Sequence, residues 1–155
     1  MKTETLATQQ DYHSSIAANI SPEDAYEKIS RVNEWWALDF KGSAKNLGDT
    51  FTVHFGETRV DFKIAEAIPG KKVSWLVTDC WLPWLNDKNE WTGTEVVFDI
   101  SQENDTTGID VTHAGLTPEA ECYDSCKQGW DHYIKISLLK FLNGGTGGPV
   151  PKGQS

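Results

Sequence analysis

Apolar and polar residues alternate in five short runs between residues 51 and 113. The inward positions of successive runs are Phe51, Val53 and Phe55; Val60, Phe62 and Ile64; Val73, Trp75 and Val77; Val96, Phe98 and Ile100; and Ile109, Val111 and His113. A period of two predicts strands with one buried and one exposed face. Turn residues such as Gly48-Asp49 and Asn104-Asp105 separate the runs. The pattern therefore predicts an antiparallel meander that is covered on one side.

Signals for one strand and two short helices precede these runs. Alternation over residues 16–20 predicts a first strand. Ser21 can cap a helix that continues with Pro22 and two acidic residues, and we expect this helix to extend through Ile29. A second short helix is predicted for residues 31–37, and the pair Trp35-Trp36 lies near its end.

A longer helix is predicted near the end of the chain, over residues 118–142. Thr117 and the residues that follow it repeat the capping pattern of the first helix, and Asn143-Gly144 supplies a C-terminal stop. The apolar face is spaced i, i+3, i+4 and i+7, as in an amphipathic helix. Its members are Cys126, Trp130, Tyr133, Ile134, Ser137, Leu138 and Phe141.

The order of these elements indicates an α+β domain. We predict a curved antiparallel sheet of six to seven strands wrapped around the long C-terminal helix, with two short helices after the first strand. A length of 155 residues fits one domain. Residues 11–143 are assigned to this domain, residues 1–10 to a frayed N-terminus, and residues 144–155 to a disordered Gly/Pro-rich tail.

Charge argues against some classes of partner. The net charge is −9, and residues 89–126 contain no Lys or Arg. The acidic residues in that stretch are Glu90, Glu95, Asp99, Glu103, Asp105, Asp110, Glu119, Glu121 and Asp124. Binding to a phosphate backbone or an anionic membrane surface needs clustered cations, so we expect neither nucleic acid nor membrane as a partner. Solubility is the simpler explanation of the acidic stretch.

Cysteine usage and the N-terminus both favour a cytoplasmic location. Residues 1–10 lack the apolar core of a secretory signal, and no run approaches the length of a membrane span. The three cysteines are an odd number without a C-x-x-C pair, which is typical of free thiols. Cys122 and Cys126 have helical i, i+4 spacing, which argues against a disulfide between them and matches no standard zinc pattern. We expect no metal and no cofactor.

Three tryptophans lie in one connection between strands, at Trp81, Trp84 and Trp91. Loops are normally polar, so this aromatic content needs an explanation. The connection could form a lid over a cavity, fold back into the core, or form a patch between two copies of the chain.

His113 is the one ionisable residue on an inward strand face that could carry chemistry. It could hydrogen-bond a ligand or act as a general base. A buried histidine satisfied by a backbone carbonyl or by Ser137 is favoured over both. No order of nucleophile, histidine and carboxylate is evident in the chain, so no catalytic residue is assigned.

Several sequence features resemble the SRPBCC superfamily (START/Bet v-like proteins). They are Ser-Pro-Glu-Asp-Ala-Tyr at 21–26 with Trp35-Trp36, Trp75 in a central strand, His-Ala-Gly-Leu at 113–116, and Gly129-Trp130 with Ser137-Leu138. The similarity covers about residues 11–143 and is strongest to the branch of the heat-shock-protein-90 ATPase activator's C-terminal domain. The resemblance implies a helix-grip fold with an apolar cavity between sheet and helix, of the kind that holds lipids, polyketides and other hydrophobic ligands.

These observations predict a small-molecule-binding protein rather than an enzyme. The expected ligand contacts are Trp36, Phe51, Phe62, Trp75, Phe98, His113 and Trp130, with Trp81 and Trp84 at the mouth. The acidic stretch favours neutral or cationic aromatic ligands over carboxylates. One alternative is an enzyme of polyketide-cyclase type that uses His113 and a neighbouring acid. The other is a chaperone-interaction module, and a homodimer is a further candidate assembly.

Overall fold

Seven antiparallel strands form one sheet in the computed structural model, which describes residues 11–150. The strands are β1 (Tyr12–Ala18), β2 (Asp39–Gly42), β3 (Thr50–Phe55), β4 (Thr58–Ile68), β5 (Lys72–Trp81), β6 (Glu95–Glu103) and β7 (Thr106–Ala114). Two short helices, α1 (Pro22–Ile29) and α2 (Val32–Trp35), follow β1. A long helix, α3 (residues 123–142), follows β7. The predicted α+β architecture is confirmed.

The strand order is β1-β7-β6-β5-β4-β3-β2. Strands β2 to β7 form the predicted meander, and β1 pairs with β7 in a register that runs from Tyr12 opposite His113 to Ala18 opposite Thr107. Helices α1 and α2 therefore carry the chain from one edge of the sheet to the other. The pairing of β4 with β5 shifts register at two points, between Asp61 and Phe62 and between Ile64 and Glu66. Such irregularities bend strands, and this helps the sheet to curve around α3.

Helix α3 changes geometry along its length. Tyr123–His132 is α-helical, Tyr133–Leu138 is π-helical, and Leu139–Leu142 is α-helical again. The predicted start at residue 118 is wrong: residues 117–120 form a turn in which the Ala120 N–H donates to the Thr117 carbonyl at 2.9 Å. Proline and acidic residues suit such a turn as well as a helix start, so the capping pattern alone could not separate the two.

The core between sheet and helix is strongly aromatic. Trp75, in β5, lies at its centre with its ring centroid 4.7 Å from that of Phe98 and 5.1 Å from that of Phe51. Phe62 lies 4.9 Å from Phe51, and Trp36 stacks on Trp75 at 6.1 Å. Offset and edge-to-face contacts of this kind are the preferred arrangements of aromatic rings. The inner face of the sheet is thus filled by its own side chains in this region.

The segment that follows α3 packs against the domain as far as residue 150. The sequence places residues 144–155 in a disordered tail, but Val150 is buried and forms a parallel bridge with Ala37. Its N–H donates to the Trp36 carbonyl at 2.7 Å, and its carbonyl accepts the Leu38 N–H at 2.9 Å. The burial of the Val150 side chain and its two backbone hydrogen bonds offset the entropy lost when the surrounding glycines are ordered. Residues 1–10 and 151–155 lie outside the described part of the chain.

Candidate functional site

A cavity of about 220 Å³ opens between α3 and the loop that joins β5 to β6. Its walls are the residues Trp36, Phe55, Leu82, Trp84, Trp91, Ser125, Cys126, Gly129, Trp130, Tyr133 and Val150. None of these wall residues is charged. The cavity is therefore an apolar chamber with an aromatic wall, as small-molecule sites commonly are.

A wider and more open depression of about 630 Å³ adjoins this cavity. The two share Phe55, Trp84 and Ser125 as walls, so the depression forms the mouth of the inner chamber. Glu57 and Thr58 add polar groups to the mouth. A ligand placed across both would have an apolar part inside and a polar part outside.

Gly129 contributes open space to the inner cavity. It lies in the first part of α3 and lines the chamber, and a Cβ built on it meets no atom within 4 Å. Glycine inside a helix costs about 0.5–1 kcal/mol relative to alanine, so this position gives up helix stability. A larger side chain at residue 129 would occupy space beside Trp130 without a clash with the fold.

The loop that follows β5 is divided between core and surface. Leu82, Leu85 and Trp91 are buried, whereas Trp81 is 43% and Trp84 50% exposed. The indole N–H of Trp84 donates to Thr58 Oγ1 at 3.0 Å, which holds the ring at the mouth. One loop therefore has both of the predicted arrangements. Trp84 lies at the opening, as a lid residue would, and Trp91 fills the interior.

Two carboxylates tie this loop to the start of α3. Glu90 accepts the backbone N–H groups of Glu121 and Cys122 at 2.7 and 3.1 Å. In return, the Glu121 carboxylate accepts the N–H groups of Asn86 and Asp87 at 3.0 and 3.3 Å. Charged acceptors near a helix N-terminus satisfy unpaired N–H groups and favour the helix dipole. The exchange explains why α3 begins at Tyr123 and fixes the loop as one wall of the cavity.

Cys122 and Cys126 form a disulfide, which corrects the expectation of free thiols. The argument from helical spacing fails because Cys122 precedes the helix, with a ψ of 2°, so that the Cα atoms are 5.5 Å apart. The indole N–H of Trp91 donates to Cys122 Sγ at 3.3 Å, and Cys126 lines the cavity. Since disulfides persist mainly in oxidising compartments, the cytoplasmic location loses its argument from cysteine and stays a prediction.

We expect reduction of this disulfide to lower the free energy of unfolding by about 2 kcal/mol, the chain-entropy value for so short a loop. Urea unfolding with and without reductant measures the change. Thiol titration under denaturing conditions should find one free thiol, Cys80, before reduction. The double variant Cys122→Ser/Cys126→Ser is the control and should not respond to reductant. Three free thiols in the oxidised protein, or an unchanged midpoint on reduction, would contradict this prediction.

His113 is fully buried and both of its ring nitrogens are hydrogen-bonded. The Trp130 indole, which can only donate, lies 3.0 Å from His113 Nδ1, so Nδ1 is the acceptor. Nε2 then carries the proton and donates to Thr94 Oγ1 at 2.8 Å, and that hydroxyl donates to the Trp91 carbonyl at 2.6 Å. Burial lowers the pKa of His113 to about 3. The ring is therefore a neutral, fixed part of the core.

The hydrogen-bond partners of His113 differ from those predicted from the sequence. Its partners are Thr94 and Trp130, in place of the expected backbone carbonyl or Ser137. The Ser137 hydroxyl instead donates to the Trp35 carbonyl and accepts the Gly148 N–H. The cyclase hypothesis paired His113 with an acid, but within the described chain neither ring nitrogen contacts a carboxylate. A general base needs a free lone pair, but the lone pair on His113 Nδ1 already accepts the Trp130 N–H.

The structure separates the predicted ligand contacts into three groups. Trp36, Trp84 and Trp130 line the cavity, and His113 lies behind Trp130. Trp81 is on the surface and does not belong to the cavity wall. Four aromatic residues of the sheet pack against neighbouring core side chains and do not reach the cavity; these are Phe51, Phe62, Trp75 and Phe98. Contact between these four and a ligand stays a prediction.

Sequence reasoning missed several wall residues. Phe55 was assigned to an inward strand face and Tyr133 to the apolar face of the helix, but neither was predicted as a ligand contact. Gly129 gives no signal of a cavity in the sequence, because it has no side chain, and it enters the prediction only through the Gly129-Trp130 motif. Val150 was expected to be disordered. The available signal was that Phe55 ends a strand and that Trp84 and Trp91 lie in one connection between two strands.

Within residues 11–150, no three His, Cys, Asp or Glu side chains are grouped so that they could hold a metal ion. None of the helices in this range is long and apolar enough to cross a bilayer.

The fold is similar to several solved structures. The solution structure of an Aha1 dimer from Colwellia psychrerythraea has a TM-score of 0.71 and 24% identity, over 87% of this chain and 97% of that one. CalU16 from Micromonospora echinospora has a TM-score of 0.62 and 18% identity, over 85% and 73%. DynU16, a putative protein in the dynemicin biosynthetic locus, has a TM-score of 0.63 and 14% identity, over 90% and 49%.

Neither protein-family models nor curated proteins gave a match to this chain. The similar structures confirm the helix-grip fold that the sequence resemblance implied, and they include the Aha1 branch that it singled out. At these identities the likeness shows the fold alone. The activity of the chain must be argued from its own cavity.

Proposed function

We propose that this protein binds a small apolar molecule in the cavity between α3 and the loop that joins β5 to β6. The observation that carries the proposal is the chamber itself: its wall is built from aromatic side chains, and Gly129 leaves it open. A core built only for stability would cover these apolar walls, because apolar surface gains about 25 cal/mol per Å² when it is removed from water. The three structural relatives support the scaffold and do not name its ligand.

The cavity volume limits the size of the ligand. An engineered cavity of about 150 Å³ accepts benzene, and drug-sized ligands need about 300–1,000 Å³. A chamber of about 220 Å³ therefore suits a group of one or two small rings. The binding free energy of small ligands is limited to about 1.5 kcal/mol per heavy atom, and most ligands reach only part of this limit. We therefore expect dissociation constants in the micromolar to submillimolar range.

Tryptophan fluorescence offers a direct test, because four of the tryptophans line the cavity. Titration with small aromatic compounds that do not absorb where tryptophan is excited, such as toluene and benzyl alcohol, should change the emission saturably. Gly129→Leu should fill the chamber and weaken binding at least tenfold. Gly129→Ala, which adds one methyl group at the same position, is the matched control and should retain most of the affinity.

Circular dichroism and thermal unfolding would confirm that both Gly129 variants are folded. The proposal fails if no compound in the panel gives saturable binding to the unsubstituted protein below about 1 mM. It also fails if the folded Gly129→Leu variant binds as tightly as the parent, since the ligand would then occupy another place.

The other partners named from the sequence stay predictions. The structural relative from Colwellia psychrerythraea is described as a dimer, and this supports a measurement of the oligomeric state by light scattering. A chaperone partner rests on the resemblance to the Aha1 branch alone.

A further inference from the structure

We infer that the cavity is selective for a small organic cation without N–H groups, such as a quaternary ammonium head group. The inference rests on the proposed function, because it narrows the ligand of the same chamber to molecules whose apolar methyl groups surround a positive charge. It is carried by three observations: the continuity of the aromatic wall, the sign of the charges around it, and the shortage of hydrogen-bonding groups inside it.

Six of the cavity's wall residues are aromatic: Trp36, Phe55, Trp84, Trp91, Trp130 and Tyr133. Trp130 lies between two of the other rings, with its ring centroid 5.0 Å from that of Trp36 and 5.9 Å from that of Trp91. Phe55 continues the wall from Trp36 at 6.1 Å. Aromatic faces carry partial negative charge and attract a cation within about 6 Å of the ring centroid, most strongly in tryptophan. Because Trp91 and Trp130 stack on each other, Trp84, which is half exposed, is the wall tryptophan most open to a cation.

The charges near the opening have the sign that a cation requires. Among residues 11–150, no Lys, Arg or His lines the cavity or its mouth, and Glu57 places a carboxylate in the mouth. Arg59, which follows the mouth residue Thr58, is neutralised by an ion pair with Asp79 at 2.6 Å. With a net charge of −9, the whole chain also attracts cations and repels anions.

The hydrogen-bonding groups of the wall argue against anions and against primary amines. The indole N–H groups of Trp84, Trp91 and Trp130 already donate to Thr58, Cys122 and His113, respectively. These three donors are not free to hold a carboxylate, and the other side-chain N–H and O–H groups of the wall are those of Trp36, Ser125 and Tyr133. Two hydroxyls are too few for a primary ammonium group, whose three N–H donors all need acceptors once they leave water. A quaternary ammonium ion has no such donors, and its charge is spread over methyl groups that fit an apolar wall.

The experiment compares choline with 3,3-dimethylbutan-1-ol, in which carbon replaces the charged nitrogen in a nearly identical shape. Tryptophan fluorescence and calorimetry would measure both, with sodium chloride added to match ionic strength. We expect choline to bind at least tenfold more tightly than the neutral alcohol, because only the charge distinguishes them. Binding of choline should also weaken as salt rises, since the field at the mouth is screened.

Two pairs of variants locate the effect. Trp84 is half exposed and its replacement should leave the fold intact, so Trp84→Leu should weaken choline binding at least threefold while Trp84→Phe retains most of it. Glu57→Gln should weaken choline binding about two- to fivefold and leave the neutral alcohol unchanged. Asp105→Asn, at the turn between β6 and β7, removes the same charge far from the cavity and should have no effect.

The outcomes separate this inference from the proposed function. Equal binding of the two compounds, or tighter binding of the alcohol, overturns the inference and leaves the proposed function standing. The same conclusion follows if choline does not bind below about 10 mM while the aromatic panel does. Equal loss of choline binding in Trp84→Leu and Trp84→Phe would also overturn it. If neither choline nor any panel compound binds, the proposed function fails as well.

Discussion

Replacing Trp130 by alanine is expected to lower the free energy of unfolding by about 4–8 kcal/mol. The side chain is 3% exposed and contacts the rings of both Trp36 and Trp91. Removing a buried tryptophan costs about 3–5 kcal/mol for the lost contacts and the new void. The substitution also leaves His113 Nδ1 without its donor inside the core, which adds about 1–3 kcal/mol. Urea unfolding followed by circular dichroism measures the total.

Trp130→Phe separates the two contributions. Phenylalanine keeps an aromatic ring in the core but lacks the N–H, so its loss of stability should be roughly half that of alanine. Thermal unfolding provides a second measurement if the alanine variant is too unstable to purify. A loss below about 1 kcal/mol for Trp130→Ala would mean that this residue does not anchor the helix.

Stability is expected to fall steeply as the pH drops below about 6.5. Burial lowers the pKa of His113 from 6.5 in the unfolded chain to about 3 in the folded protein. The unfolded state therefore binds a proton that the folded state refuses, so stability falls with pH between these two values and is unaffected by this group above 6.5. The slope for one such group is about 1.4 kcal/mol per pH unit, which amounts to nearly 3 kcal/mol lost by pH 4.5.

Unfolding midpoints at pH 7.5, 6.5, 5.5 and 4.5 would test this dependence. His113→Gln is the comparison, because it removes the titrating group and should flatten the profile over this window even if the variant is less stable overall. A direct measurement is the ring resonance of His113 in the folded protein, which should not titrate above pH 4. A His113 resonance that titrates near 6.5 would contradict the buried, neutral arrangement.

The sheet was largely predictable from sequence because its signal is local. Alternation along β3 to β7 depends on each strand having one face toward the core, and residues such as Val53, Ile64 and Val96 show it directly. The order of the strands followed from the short turns between them. The start of α3 did not follow, because it depends on Glu90, a residue more than thirty positions away that binds the N–H groups of Glu121 and Cys122.

The site was only partly predictable because a cavity is defined by what its neighbours leave empty. The sequence identified aromatic residues on inward faces but not the ones that would pack against each other. Trp75 and Phe98 lie in adjacent central strands and fill the space between them, whereas Trp84 and Trp91 come from an irregular loop. The disulfide was missed for a similar reason, since a five-residue error in the helix start changed the geometry assumed for Cys122.

The double attachment of the loop between β5 and β6 has a kinetic consequence. Because Glu90 and Glu121 bind backbone groups on both sides of the contact, the loop cannot swing aside as a unit without breaking several hydrogen bonds. Access is left to the side chain of Trp84, which is restrained at its N–H by a single hydrogen bond to Thr58. Exposed side chains change rotamer in picoseconds to nanoseconds, whereas lids open in microseconds to milliseconds. The association rate should therefore rise in proportion to ligand concentration without a plateau, and residence time should follow affinity.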